Sequence, residues 1–223
     1  MPLWASFVYK LTMTIAPTTS VLAEFTGGAQ PDIAMMIGVG LVKESDAVFF
    51  QYMGDDQKPV ALTIPSNGKP LTYLRGVKLA DISIADDIGE FKSTKLNLIL
   101  ESGAGNRVML TSGLTTLWSQ AVICALMGLF NSYDLDTVFT LNSWKGTSKM
   151  RPTFASVKIG DAKVSDQMMY DQLRELRADR ATDKLVAVMR DSVAILQHAL
   201  RGEPVDVVVN EADVADVVET ADF

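Results

Sequence analysis

Residues 95–130 read KLNLILESGAGNRVMLTSGLTTLWSQAVICALMGLF, and this stretch decides the fold. Its first part alternates apolar and polar residues and then becomes wholly apolar, which predicts a strand over 95–101 with room for burial on both faces. A Gly-rich turn at 102–106 leads into a second strand over 107–111. The apolar run 114–130 contains several polar residues and is short for a membrane span, so it predicts a buried helix.

Further strand patterns flank this stretch on both sides. They cover residues 47–53, 60–64, 71–78, 82–84, 137–141 and 153–159. Asn67-Gly68 is a hairpin-turn signal, and Ser112 is a plausible cap for the helix. Several strands, one helix and further strands follow each other in an oligonucleotide-binding (OB) barrel, where the helix plugs one end. The sequence therefore predicts a mainly β protein with some α, an elaborated OB-fold-like β-barrel, with another small α+β fold as the alternative.

Composition divides the chain into four regions. They are an N-terminal arm (1–42), an OB-like β-barrel core (43–164), a C-terminal helical region (165–202) and an acidic flexible tail (203–223). The arm is punctuated by Pro and Gly and carries only short apolar pieces, which suits irregular structure or a few short elements. The tail is the only region with a biased composition.

The helical region repeats apolar residues every three or four positions, with a gap near 179–183 where a break is expected. Gly202 and Pro204 end it. Its apolar stripe has to be buried, either on the chain's own barrel or on a second copy, and we expect a homodimer. The stripe consists of Met169, Leu173, Leu176, Val188, Ile195 and Ala199.

Catalytic chemistry has few candidate residues. Cys124, the one cysteine, is expected in the core, and His198, the one histidine, on the surface of the last helix near its C-terminus. Neither a zinc site nor a nucleophilic triad can be assembled from them, and no phosphate-binding loop occurs. The sequence therefore predicts a protein that is not an enzyme and needs no cofactor.

A metal-dependent nuclease is the enzymatic alternative. Three carboxylate pairs could bind two magnesium ions if the fold gathered them, although each lies where a turn is expected and Asp is a common turn residue. The pairs are Asp55-Asp56, Asp86-Asp87 and Asp134-x-Asp136.

Two features indicate a cytoplasmic protein without membrane contact, in the host cytoplasm if the chain is viral. Lys10 interrupts the N-terminal apolar stretch, so a secretory signal is not expected. A single cysteine cannot form an internal disulfide, and nothing points to an oxidising compartment.

Residues 137–160 contain four bases and three aromatic residues but no acid. Single-stranded nucleic acid is bound by this combination, because cations follow the phosphates and ring faces stack on bases. The loop between the last two strands of an OB barrel also lines the binding groove. Strand residues nearer the N-terminus could extend the site. The predicted DNA-binding residues are Tyr52, Tyr73, Arg75, Trp144, Lys145, Lys149, Arg151, Phe154 and Lys158.

The net charge of −7 lies entirely in the tail. Residues 203–223 hold seven of the 27 acids and no base, so residues 1–202 balance 20 acids against 20 bases. A tail of one sign is usually solvated and open to interaction. The last residue of the tail is apolar and carries a free carboxylate, so it could bind in a small basic pocket on a partner.

The tail resembles the C-terminal tip of single-stranded DNA-binding proteins from bacteria and lytic podophages, at Glu219, Asp222 and Phe223. Those proteins end in an acidic, flexible segment whose last residue is Phe, whereas this tail is also rich in Val. The resemblance covers the tail alone. It implies a protein that protects single-stranded DNA during replication or recombination, in a phage for example, and recruits partner enzymes through the tail. A structural or assembly protein of a viral particle is the second hypothesis.

Overall fold

The computed structural model describes residues 35–40, 45–53, 58–89 and 92–203. Within these ranges the chain forms nine strands and three helices. The strands are β1 Met35–Val39, β2 Phe49–Met53, β3 Lys58–Ala61, β4 Tyr73–Ile88, β5 Ser93–Ser102, β6 Arg107–Gly113, β7 Phe139–Lys145, β8 Thr153–Ile159 and β9 Ala162–Val164. The helices are α1 Leu117–Ser132, α2 Gln167–Ala178 and α3 Thr182–Leu200.

All nine strands belong to one mixed sheet in the order β3-β2-β1-β6-β5-β4-β7-β8-β9. Only the β1–β6 ladder is parallel among the strand pairs of the described residues. β3 and β9 form the two edges, so the sheet is open. The expectation of a mainly β protein with some α is confirmed, whereas the closed barrel is not found and an OB fold is not confirmed.

Alternation along β5 shows how the sheet separates its two faces. Leu96, Leu98 and Leu100 are buried, whereas Asn97 and Ile99 between them are partly exposed. α1 packs against β8, and α3 packs against β4, so the helices and the leucines share one core. The second face of this strand, which the sequence allowed to be buried as well, is therefore only partly buried.

Several boundaries differ from those expected. Residues 71–78 and 82–84, predicted as two strands, belong to the single long strand β4, and β9 was not predicted. α1 begins three residues late, because its N-cap is Thr116, whose side chain accepts from the Ser119 N–H. Ser112, the predicted cap, lies at the end of β6, and its hydroxyl contacts that of Thr116 at 3.1 Å.

The largest difference concerns the N-terminal arm. The arm was expected to be irregular or to hold a few short elements, and its described part contains the short strand β1, which lies inside the sheet between β2 and β6. Gly38 allows this position because a Cβ there would lie 2.4 Å from the ring of Phe50 on β2. A glycine that suggests a loop in the sequence is here required by close packing.

The helical region breaks between α2 and α3 as expected, with Arg180 at a positive φ of 57°. Gly202 ends α3 at φ 67°, and the Glu203 N–H donates to the His198 carbonyl. His198 itself is exposed in the last turn, where Nδ1 lies 2.7 Å from Glu203 Oε2. These observations confirm the predicted break, the predicted helix end and the surface position of the histidine.

The apolar stripe of the helical region packs on its own chain. Met169 and Leu173 are buried, and Leu176, Val188 and Ala199 pack partly buried against the same core, while Ile195 is half-buried. The stripe therefore gives no reason to require a second copy, and the homodimer stays a prediction.

Cys124 is buried, as predicted. Burial raises the pKa of its thiol to about 12, and the nearby charge of Asp166 adds to this effect. No helix in the described ranges combines the length and apolarity needed to span a bilayer. The acidic tail, including Glu219, Asp222 and Phe223, lies outside the described residues except for Glu203.

We expect Gly128→Ala to lower the free energy of unfolding, although alanine is the better helix former by about 1 kcal/mol. A Cβ on Gly128 would lie 2.6 Å from the Ser165 carbonyl carbon and 2.7 Å from the Asp166 nitrogen. That backbone is held by the Asp166 N–H bond to the Cys124 carbonyl. Because overpacking of this kind costs about 1–3 kcal/mol, the clash outweighs the helix preference.

Urea unfolding measures the effect, with Gly103→Ala as the matched control. A Cβ on Gly103 meets nothing within 4 Å, so this variant should change the unfolding free energy by no more than about 0.5 kcal/mol. Equal unfolding midpoints for the two variants would contradict the packing argument.

Candidate functional site

The register of β4, β7 and β8 places several of the predicted site residues on one face of the sheet. Tyr73 pairs with Asn142, and Asn142 pairs with Ser156. Because side chains directly opposite each other share a face, and so do those two positions along a strand, Trp144 and Phe154 continue this face. Lys158 lies on it as well, two residues from Ser156.

Trp144 and Phe154 form a stacked pair on this face. Their ring centroids lie 6.0 Å apart, with 24° between the ring planes. Trp144 keeps 45% of its surface exposed, while Phe154 is partly buried. An exposed indole supported by a second ring can accept a further aromatic ring, such as a nucleobase.

Arg75 and Tyr73 extend the same face toward β4. The Arg75 guanidinium carbon lies 4.4 Å from the centroid of the Tyr73 ring, which is a cation–π contact. Arg75 is exposed and Tyr73 partly so. We call five residues of this face, Tyr73, Arg75, Trp144, Phe154 and Lys158, the Trp144 surface.

The loop between β7 and β8 is held close to the Trp144 surface. The Gly146 N–H donates to the Pro152 carbonyl at 2.7 Å, and a Cβ on Gly146 would lie 2.9 Å from the Phe154 ring. Arg151 has a positive φ of 44° and closes a turn through its N–H bond to the Ser148 carbonyl. The loop therefore has a defined shape instead of being a loose connection.

Two cations of this loop bind residues 45–46, which precede β2. Lys145 Nζ donates to the Ser45 carbonyl, and the Arg151 guanidinium pairs with the Asp46 carboxylate. The hydrogen bond from Arg151 holds the pKa of Asp46 below its ordinary value. Burial lowers the pKa of Lys145, and the charge of Arg151 lowers it further. Lys145 and Arg151 thus have protein partners in this structure.

Lys149 and Lys158 differ from those two cations. Both are exposed, and neither forms an ion pair with another residue in the described ranges. With no acid between residues 137 and 160, they add to the positive charge of the β7–β8 hairpin. They are the predicted cations best placed to contact phosphates.

The remaining aromatic candidates lie elsewhere. Tyr52 is exposed on β2, where its ring meets that of Phe50 edge to face at 5.3 Å, and four strands separate β2 from β7 in the sheet order. Phe139, one of the three aromatic residues in the acid-free segment, is buried in the core. The sequence pattern therefore combined residues that the fold separates.

Carboxylates do not gather into a metal site within the described part of the chain. Asp86 accepts from Thr94 and pairs with Arg190, and Asp134 accepts the backbone N–H of Asp136 in a turn. No group of three or more potential metal ligands occurs among the described residues. The pair Asp55-Asp56 lies outside them.

Two residues near the Trp144 surface were missed by the sequence analysis. Lys163 on β9 is exposed and pairs in register with Lys158, and Tyr170 on α2 lines a pocket together with Trp144 and Phe154. Lys163 lies just beyond the acid-free segment, after Asp161, so charge counting could have found it. Tyr170 lies on the exposed side of a helix, and no signal in the sequence joins it to β7.

Comparisons of this chain with protein-family models, with curated proteins and with solved structures found no match.

Proposed function

We propose that this chain binds single-stranded DNA on the Trp144 surface and on the adjoining loop. The observation that carries the proposal is the exposed Trp144 ring, stacked on Phe154 and flanked by Lys149 and Lys158 in a segment without acids. Unstacked bases would lie against the rings while the ammonium groups contact phosphates. The open face of the sheet is accessible to a single-stranded nucleic acid, so this binding does not need the closed barrel that the sequence predicted.

A single strand fits this surface better than a duplex does. Trp144 offers a ring face, and a ring face can stack on a base only where that base has lost a neighbour. The resemblance of the tail favours single-stranded DNA as the nucleic acid bound. We place protection of single strands during replication or recombination in the same proposal.

The tail completes the proposal as the segment that recruits partner enzymes. Its carboxylates and the terminal Asp222-Phe223 support this role through charge and the apolar end group. Because the tail carries the whole net charge, it also leaves residues 1–202 neutral enough to approach a polyanion.

Quenching of tryptophan fluorescence by oligo(dT) tests the proposal. The chain has three tryptophans, of which Trp118 is fully buried and Trp4 lies outside the described residues. In a Trp4→Phe variant, a quench that a surface ligand causes should therefore come chiefly from exposed Trp144. Quenching should weaken steeply as salt rises, because each phosphate contact releases a counterion. Absence of both quenching and a mobility shift at low salt would reject the proposal and favour the structural or assembly protein. Cleavage of the oligonucleotide on adding magnesium would favour the nuclease.

We further expect Asp46→Asn to tighten binding to oligo(dT). The Asp46 carboxylate holds Arg151 in an exposed ion pair, and loss of its charge leaves the guanidinium available to a phosphate. One additional phosphate contact should steepen the dependence of log K on log salt by about 0.7.

Asp191→Asn is the control for the Asp46 variant, since it removes the same charge from an exposed position on α3. This control separates a general loss of negative charge from release of Arg151. If both variants changed the affinity and the salt slope equally, Asp46 would have no specific effect on Arg151.

A further inference from the structure

A pocket lies at the edge of the sheet beside the Trp144 surface, because β9 is too short to cover β8. β9 pairs only with Val157, Lys158 and Ile159, so residues 153–156 of β8 extend beyond it. At Ser165 the chain turns away toward α1, where the Asp166 N–H donates to the Cys124 carbonyl. The space left between β8 and the start of α2 is a pocket of about 120 Å³.

Three aromatic side chains line this pocket, and most of the other lining residues are alanines and serines. Trp144, Phe154 and Tyr170 line it together with Ala121 and Ala125 of α1. The alanines leave room where larger side chains would fill the space. Tyr170 is 40% exposed, so it stands at the pocket without being part of the core. Three aromatic residues around one narrow space suit a flat ring better than a branched aliphatic group.

Several polar side chains line the pocket. No side-chain hydrogen bond to another described residue is formed by Ser156, Ser165 or Tyr170. Ser156 keeps only 8% of its surface exposed. Lys163 also lines the pocket and forms no ion pair within the described ranges. These polar groups therefore line the pocket without a side-chain partner among the described residues, and they are available to a ligand that carries donors and acceptors.

We propose that this pocket binds one nucleobase of the single strand, with Lys163 on the phosphate next to it. The proposal rests on the proposed function and assigns it a second base position, beyond the exposed face of Trp144. A nucleobase has both the flat ring that the aromatic residues accept and a polar edge with which the two serine hydroxyls can form hydrogen bonds. An apolar side chain of a peptide would leave those hydroxyls unsatisfied.

Tyr170→Ala in the full chain tests this pocket, with oligo(dT) as the probe. Loss of one stacking platform should weaken binding about 5- to 150-fold. Tyr133→Ala is the matched control, because Tyr133 is 47% exposed and does not line the pocket, and it should bind as the unmodified chain does. Lys163→Ala should flatten the salt slope by about 0.7, whereas Lys184→Ala, on the exposed surface of α3, should not.

An oligonucleotide with abasic positions separates base binding from a structural effect. Abasic substitution should weaken binding to the unmodified chain more than binding to Tyr170→Ala, because the variant has already lost the base contact. Equal affinities of Tyr170→Ala and Tyr133→Ala, with Trp144→Ala weakened, would overturn the pocket and leave the proposed function standing. Failure of the unmodified chain to bind oligo(dT) would overturn both.

Discussion

Trp118→Ala should lower the free energy of unfolding by about 3–5 kcal/mol, the range for removing a large buried aromatic side chain. Trp118 is fully buried on α1, and its Nε1–H donates to the Ser143 hydroxyl on β7 at 2.9 Å. The substitution leaves a cavity between helix and sheet and deprives a buried hydroxyl of its donor. It also removes a hydrogen bond between α1 and Ser143, the residue of β7 that precedes Trp144.

Chemical denaturation followed by far-ultraviolet circular dichroism measures this loss without depending on tryptophan emission. Trp118→Phe keeps most of the buried ring but not the hydrogen bond, so its loss should be smaller, and it stays measurable if the alanine variant fails to fold. A loss below about 1 kcal/mol for Trp118→Ala would contradict the packing described for α1.

Trp144→Ala should weaken binding to oligo(dT) by about 1–3 kcal/mol while leaving the stability nearly unchanged. The indole is 45% exposed and stacks on Phe154 from the surface, so its removal opens no internal cavity. The salt slope should stay the same, because a ring contributes no phosphate contact.

Isothermal titration calorimetry at two salt concentrations measures the affinity of Trp144→Ala for oligo(dT) and the salt slope of that affinity. Lys149→Ala is the informative comparison, since loss of an exposed cation should flatten the salt slope and leave the stacking contribution in place. Unchanged affinity of the folded Trp144→Ala variant would remove the ring from the binding site. Substitutions of Trp118 and Trp144 thus separate the effect on stability from the effect on binding.

Local patterns predicted the elements that depend on local sequence. Alternation over 95–101 and the apolar run 114–130 identified β5 and α1, and the gap near 179–183 identified the break between α2 and α3. The place of β1 could not be predicted in this way. Its hydrogen-bond partners lie on β6, and the need for a glycine under the Phe50 ring is visible only after the strands have come together.

In the candidate site, too, local features could be predicted from the sequence, whereas long-range contacts could not. The acid-free segment correctly indicated an exposed Trp144 close to cations, because both features arise within a single hairpin. The contacts of Lys145 with Ser45 and of Arg151 with Asp46 join parts of the chain about 100 residues apart, and composition carries no signal for them. Tyr170 reaches the pocket only through the packing of α2.

The parallel β1–β6 ladder also governs the order in which the sheet can be completed. Met35 pairs with Val108, whereas β2 and β3 follow β1 closely along the chain. During synthesis on a ribosome, β1 to β3 therefore emerge as a three-stranded unit with one side of β1 unpaired. Closure of such a long loop slows folding, and an unpaired strand edge favours aggregation until it is covered. The middle of the sheet, rather than its edges, is the place where a nascent chain is most exposed to misassembly.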